Sequence, residues 1–343
     1  MTASDSRSVP PVTTVDMHAL QEAMGDALVG MKLSQHHDRI EILGEDRAKF
    51  LHNLCTADVN KLSSGTGTEA FFLNAKGKTI DYGRLYATQT SIWLDLEPGR
   101  ASAMLKHLDR YLFRERVNLH DRTAVYEHLH LLGPKADEWI RSLIDVPSDF
   151  PVPSVAEITT PAGKVQIRRM ARSVWPGWDI LVPQDSLASW IERFDSMAGR
   201  WLDNNVIESL RVEAGIPRFG KEITEENLAQ EIGRDALAIS FAKGCYIGQE
   251  TVARLDAMGH VNKLLRGIEL PANASVQVGA EIRAGDNLIG RVASVADALK
   301  ETPSKRVLAV LRLNGGSPGD RVTIATDQGV CEGSVVTLPF PST

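Results

Sequence analysis

Residues 243–250, KGCYIGQE, place a cysteine among groups able to change its chemistry. A thiol reacts as thiolate, and a nearby cation or helix N-terminus lowers its pKa. Lys243 lies two residues before Cys245, and the spacing of TVARLDAM predicts a helix starting just after Gly248. Gly244 and Gly248 allow backbone shapes closed to other residues and let a ligand approach the main chain. Tyr246 lies inside the turn, and Gln249 and Glu250 are expected to hold it in place. This is not the residue order of a phosphate-binding loop. Spacing alone fits a buried cysteine in a glycine-punctuated turn equally well.

Three other stretches are dense in polar chemistry. ESLRVEAGIPRFGKEI (208–223) carries Arg211, Glu213, Arg218, Lys221 and Glu222, and an arginine fork suits a carboxylate. Its alternative is a solvated loop with surface ion pairs. In VWPGWDILVP (174–183), Asp179 lies in an apolar run, where an unpaired carboxylate is costly. A partner with N–H donors, a pterin ring being one candidate, would relieve that cost, and Trp175 and Trp178 could stack on it. An edge-strand aspartate facing water is the alternative. In FLNAKGKTIDYGRLY (72–86), Asp81 closes a strand-turn-strand element, where a carboxylate could accept a proton or bind an amine. Surface decoration is the simpler reading there.

The elements that must position these residues follow from periodicity. DMHALQEAMGDALVG (16–30) has helical spacing. RIEIL, then RAKFLHNLC, reads as strand and helix with Cys55 buried, and strand-like runs follow to residue 97. RASAMLKHLDRYLFRERV (100–117) is an amphipathic helix. YEHLHLL puts His128 and His130 on one strand face, and with no third ligand nearby no metal site is expected. KVQIRRMAR, WDILVP and SLASWIERFDSMAG complete an α+β stretch over 126–203. After residue 262, five or more short alternating strands in about 80 residues predict a small antiparallel barrel, and Cys331 within it reads as structural.

Composition bounds the rest. A chain of 343 residues is expected to hold two or three units. A net charge of -6 argues against a broad nucleic-acid-binding face. No window approaches the roughly 18 continuous apolar residues of a membrane span. Residues 1–15, rich in Ser, Thr and Pro, are expected to be a disordered leader and not a targeting signal. Three distant cysteines with no C-x-x-C pair argue against a disulfide framework or Cys-only zinc site. A cytoplasmic monomer with no membrane or direct nucleic-acid partner is the expectation.

SFAKGCYIGQETVAR resembles the signature of the YgfZ-type folate-binding proteins, relatives of the glycine-cleavage T-protein, an aminomethyltransferase. LGEDRAKFLHNLCTADVNKLSSGTGTEAFFLNAKGKTIDY, PGWDILVP and SLRVEAGIPRFGKEI resemble further segments of these proteins. The resemblance implies an α+β fold of three units around a central folate-binding cavity. A folate-binding domain would span 16–125 plus 204–261, with an inserted ferredoxin-like α+β unit at 126–203 and a C-terminal β-barrel at 262–343. It implies tetrahydrofolate or a one-carbon derivative as cofactor, with Asp81, Asp179, Arg211 and Glu213 as its binding positions. It also implies support of iron–sulfur cluster synthesis or repair in client proteins met transiently, tRNA-modifying enzymes among them. Lys243 and Cys245 match the residues of that function, with Lys243 activating the thiol at the cavity mouth.

Departures separate the two subfamilies. The T-protein has two consecutive aspartates where this chain has Asp81-Tyr82, and it lacks the cysteine, both of which favour the YgfZ-type reading. Arg211 keeps aminomethyl transfer as the alternative. A Cys-His hydrolase, with His260 as the histidine nearest in sequence, is a third class.

Overall fold

The computed structural model describes residues 29–32, 37–133, 135–143, 150–160, 163–172, 176–196, 199–297 and 303–340. The chain runs β1 (Val29–Lys32), β2 (Asp38–Leu43), α1 (Arg47–Leu54), β3 (Gly67–Leu73), β4 (Thr79–Ala87), β5 (Ser91–Leu96), α2 (Ala101–Asp109) and β6 (Asn118–Asp121). It continues through β7 (Tyr126–Leu132), α3 (Ala136–Leu143), β8 (Ser154–Thr160), β9 (Gly163–Ala171), β10 (Pro176–Pro183), α4 (Leu187–Asp195), β11 (Arg200–Trp201) and α5 (Asn204–Glu213). Then come α6 (Asp235–Ala238), α7 (Gln249–Met258), β12 (Lys263–Pro271), β13 (Glu281–Ala284), β14 (Asn287–Arg291), β15 (Ser294–Val295), β16 (Ser304–Arg312), β17 (Arg321–Thr326) and β18 (Gly329–Val336).

These strands make three sheets, as an α+β fold of three units requires. The first, in order β3-β4-β5-β2-β6, is antiparallel. Its alternating residues Ile40, Ile42, Leu85 and Leu94 bury one face against Leu51, Leu54, Met104 and Leu108 of α1 and α2. The second, β11-β1-β7-β10-β9-β8, is antiparallel except for the parallel β1–β11 pair. One of its faces packs Ile167, Trp178 and Ile180 against Trp139, Ile140 and Phe194 of α3 and α4. The third, β14-β13-β17-β18-β12-β16-β15, curls into a half-barrel. Its curl brings Gly290 of β14 against β16, where a Cβ would lie 2.7 Å from Leu311 Cδ2. The small antiparallel barrel expected after residue 262 is present as this curled half-barrel.

Two helix expectations change. The helix over 16–30 lies outside the described residues up to residue 28, and Val29 and Gly30 instead begin β1, which pairs with β7. The helix over 100–117 ends at Asp109. Glu115 explains the stop: its carboxylate accepts from the N–H groups of Phe113 and Arg114, each at 3.0 Å, giving the backbone a local alternative to the helix.

The other faces of the first and second sheets meet through a seam of charge bordered by Tyr86, Trp93, Val155 and Met170. Arg168 of β9 donates to Asp95 of β5 at 2.5 Å and lies over the Tyr86 ring. Arg39 of β2 stands 3.8 Å from Asp95 and donates to His128 Nδ1 at 2.8 Å. Since that nitrogen accepts, Nε2 carries the proton, and it faces Asp179 at 3.0 Å. All five residues are buried. Burial raises the carboxyls of Asp95 and Asp179, yet Arg168 and Arg39 hold the first below the usual range and Arg172 and His128 hold the second well below it. Burial pushes His128 down to about 3, so it is neutral.

The Asp95→Asn variant strands Arg168 and Arg39 without counter-charge and is expected to lose about 3–5 kcal/mol, read as a lower urea midpoint. His128 has a depressed folded pKa, so the unfolded chain binds its proton first as the pH falls below about 6.5. Asp95 and Asp179 add their loss below about pH 4, as protonation of the native carboxylates is forced. Thermal melts are therefore expected to be flat near neutral pH and to fall in both acid windows, with the upper one reduced in His128→Gln.

Candidate functional site: a charged cavity and an exposed thiol

Where the first two sheets meet α5 and the loop after it lies a cavity of about 370 Å³, within the roughly 300–1,000 Å³ usual for small-molecule sites. Arg84 of β4 and Glu97 after β5 line it from the first sheet, and Arg172, beyond β9, from the second. Helix α5 supplies Ile207, Glu208 and Arg211, and the following loop supplies Ile216, Arg218 and Lys221.

Most of these charges are already paired. Arg211 donates to Glu208 at 2.8 Å, to Glu222 at 3.1 Å, to Ser294 at 2.8 Å and to the Ile216 carbonyl. Arg218 bonds Glu97 at 2.5 Å and Glu208 at 3.0 Å. Burial would raise Glu208, but the Arg211 and Arg218 guanidiniums bring it down to about 2, so it is ionised. Arg172 donates to Asp179 at 2.8 Å and to His37 Nε2 at 2.7 Å. That ring is kept neutral by burial and by Arg172.

The expected folate positions divide. Arg211 lines the cavity. Asp179 stands one layer behind it on β10, buried, accepting from Arg172 and from His130 Nδ1 at 2.8 Å. His128 and His130 do share a face, as their alternation predicts, and that face points to Asp179 and not to a metal. Asp81 is buried outside the lining, bonded by Arg100 Nε at 2.8 Å and by the Tyr82 N–H at 2.9 Å. Burial outweighs Arg100 and raises its carboxyl to about 6. Glu213 faces the third sheet, where it accepts from Arg306 at 2.7 Å. Trp175 lies outside the described residues, and Trp178 is buried in the core. Sequence reading missed Arg84, Glu97, Arg172 and His37. A faint signal existed for Arg84, which alternates with Tyr82 and Tyr86 on one face of β4.

The thiol loop is a separate construction, and none of residues 243–250 lines the cavity. Cys245 is exposed. Lys243 is buried, and its ammonium donates to the carbonyls of His52, Cys55 and Ala57 at 2.5, 2.7 and 2.7 Å, at the C-terminal end of α1. A cation there satisfies carbonyls the helix leaves open and complements its dipole. These bonds tie the loop to α1, in place of the expected pairing of Lys243 with Cys245. Tyr246 lies under the ammonium at 4.7 Å. Gly248 caps α7 at φ +82, and a Cβ there would lie 2.7 Å from the Asn74 carbonyl. Gly244 has no such constraint, with nothing nearer to an added Cβ than His52 Nε2 at 3.9 Å. Gln249 closes the turn through its side-chain oxygen to the Tyr246 N–H at 3.3 Å. Glu250 is exposed in the first turn of α7, suited to the dipole. The histidine beside this loop is His52, paired with Asp58 at 3.2 Å, and His260 is exposed and bonded to the Met258 carbonyl.

The GCVT N-terminal domain model matches residues 21–243. An aminomethyltransferase of Symbiobacterium thermophilum is 26% identical over 89% of this chain and 84% of that protein. A tRNA-modifying protein YgfZ of Klebsiella pneumoniae is 26% identical over 84% of this chain and 86% of its own. A mitochondrial iron–sulfur cluster assembly factor IBA57 homolog of Aspergillus fumigatus is 27% identical over 70% of this chain and 57% of its own. The solved glycine cleavage system aminomethyltransferase T of Bartonella henselae shares the fold, with a TM-score of 0.82 at 18% identity over 95% of this chain and 89% of that one. No helix among the described residues is long and apolar enough to cross a membrane.

Iodoacetamide is expected to alkylate Cys245 well before Cys55, whose thiol is fully enclosed and pushed up to about 11 by burial. Peptide mapping of a time course checks the order. Lys243→Met leaves three carbonyls short of a donor and is expected to destabilise the protein by about 1–3 kcal/mol in urea melts.

Proposed function

The chain belongs to the family of the GCVT N-terminal domain, as a YgfZ-type member, and from that premise we propose that it is a tetrahydrofolate-binding accessory protein for iron–sulfur enzymes. Its clients include tRNA-modifying enzymes, it works in the cytoplasm as a monomer, and Cys245 is the residue that meets the client.

The observation that carries this reading is the cavity. Glu97 and Glu208 supply acceptors for the amino and ring N–H groups of a pterin, and Ile207 and Ile216 supply apolar faces. Arg84 and Lys221 supply cations for the carboxylates at the other end of a folate. The donor set therefore fits tetrahydrofolate, which when bound supplies a carrier for a one-carbon unit. Arg211 and Arg172 hold the walls through Glu208 and Asp179. Cys245, exposed on a loop fixed by Lys243 and Gly248, is free to reach a macromolecule.

Aminomethyl transfer is the second reading. Asp81 favours it, since a carboxyl raised to about 6 exchanges protons near neutral pH. Against it, Asp81 is engaged by Arg100 outside the cavity, and the neighbouring position is Tyr82, whose hydroxyl donates to Glu69.

Complementation tests the choice. In cells lacking their own YgfZ-type protein, the wild type is expected to restore a tRNA-methylthiolating iron–sulfur enzyme and Cys245→Ala is not. Equal rescue by both demotes the thiol to a structural part. No rescue by either, with both folded and abundant, favours aminomethyl transfer.

A further inference from the structure

Arg84 is the buried cavity cation that no carboxylate of the fold bonds directly, although its charge is felt by Glu69. It sits on β4 between β3 and β5, so its backbone is covered and its side chain is what reaches the cavity. It is 8% exposed. Register puts two acids directly beside it, Glu69 on β3 and Asp95 on β5. Both are taken. Glu69 is held by Arg234 at 2.9 and 2.5 Å and by the Tyr82 hydroxyl. Asp95 is held by Arg168 at 2.5 Å, with Arg39 at 3.8 Å. Among the described residues Arg84 has no hydrogen bond and no ion pair, whereas Arg172, Arg211 and Arg218 around the same cavity each have a carboxylate.

A guanidinium presents five donors in a planar fork, and a ligand anion in the cavity would supply the direct partner that Arg84 lacks within the fold. The lining carboxylates Glu97 and Glu208 disfavour a doubly charged phosphate, while one planar guanidinium matches one carboxylate in two parallel hydrogen bonds.

We propose that Arg84 is the carboxylate anchor of this cavity and selects ligands that carry a glutamyl group over uncharged pterins. The identity of the ligand as a folate rests on the function proposed above, whereas the anchor rests on Arg84 and its occupied neighbours.

Calorimetric titration of the full chain tests it with three probes: tetrahydrofolate monoglutamate, a methyltetrahydropterin without the glutamyl tail, and p-aminobenzoylglutamate. Arg84→Met is expected to weaken the two carboxylate-bearing probes roughly ten- to a hundred-fold and to leave the pterin unchanged. Arg84→Lys is expected to retain part of the affinity. Without ligand, Arg84→Met should melt no lower than the wild type, since it breaks no hydrogen bond or ion pair. A lower melt without ligand, unchanged binding of the glutamyl probes, or a parallel loss for the pterin overturns the anchor. If the wild type binds p-aminobenzoylglutamate through Arg84 but no pterin, the anchor stands and the folate reading fails. If it binds pterin and folate alike, independently of Arg84, the folate reading stands and the anchor fails.

Discussion

Two sheets pressed together through charge impose the constraint on which the rest of this molecule depends. Each has one face covered by helices, and what remains between them is Arg39, Asp95, Arg168, His128 and Asp179. Apolar faces tolerate a small slide, but buried ions do not, because each must keep its partner within hydrogen-bond reach. The seam thus fixes where β5, β7, β9 and β10 stand relative to one another. The cavity opens where the row of partners ends, with Arg172, still paired with Asp179, on one side and the unpaired Arg84 on the other.

Much of the architecture was legible because strands announce themselves by alternation. The first-sheet strands, the strand with His128 and His130, and the succession of short strands after residue 262 all appear where the pattern puts them. Local competition defeated the pattern at 110–117, where Glu115 offers the backbone another partner, and tertiary pairing took Val29 and Gly30 into a sheet. The cavity was half legible. Arg211 and Asp179 stand out as charges in otherwise apolar or glycine-rich runs. Arg84, Arg172 and His37 do not, because their surroundings come from far along the chain. Asp95 and Arg168 are 73 residues apart and Arg39 and His128 are 89 apart.

Proximity in sequence misled in one further place. Lys243 and Cys245 are two residues apart, yet the lysine serves carbonyls 186 to 191 residues away. The result is a division of labour within the motif. Lys243 and Gly248 hold the loop to α1 and the end of β3, Gln249 closes the turn from within, and the thiol is left exposed on a support that does not need it. That arrangement leaves the Cys245 side chain outside the contacts that fix the loop.

Helix α5 presents Arg211 to the cavity and also bonds it to Ser294, while Glu213, half a turn on, is tied to Arg306. One rigid element is therefore the wall of the binding chamber and the mooring of the third sheet. Thermodynamic linkage makes these two duties reciprocal. An occupant that grips α5 firms the attachment of the half-barrel, and slackening that attachment loosens the grip on the occupant. The C-terminal sheet thus bears on the chamber through α5, although none of its described residues lines it.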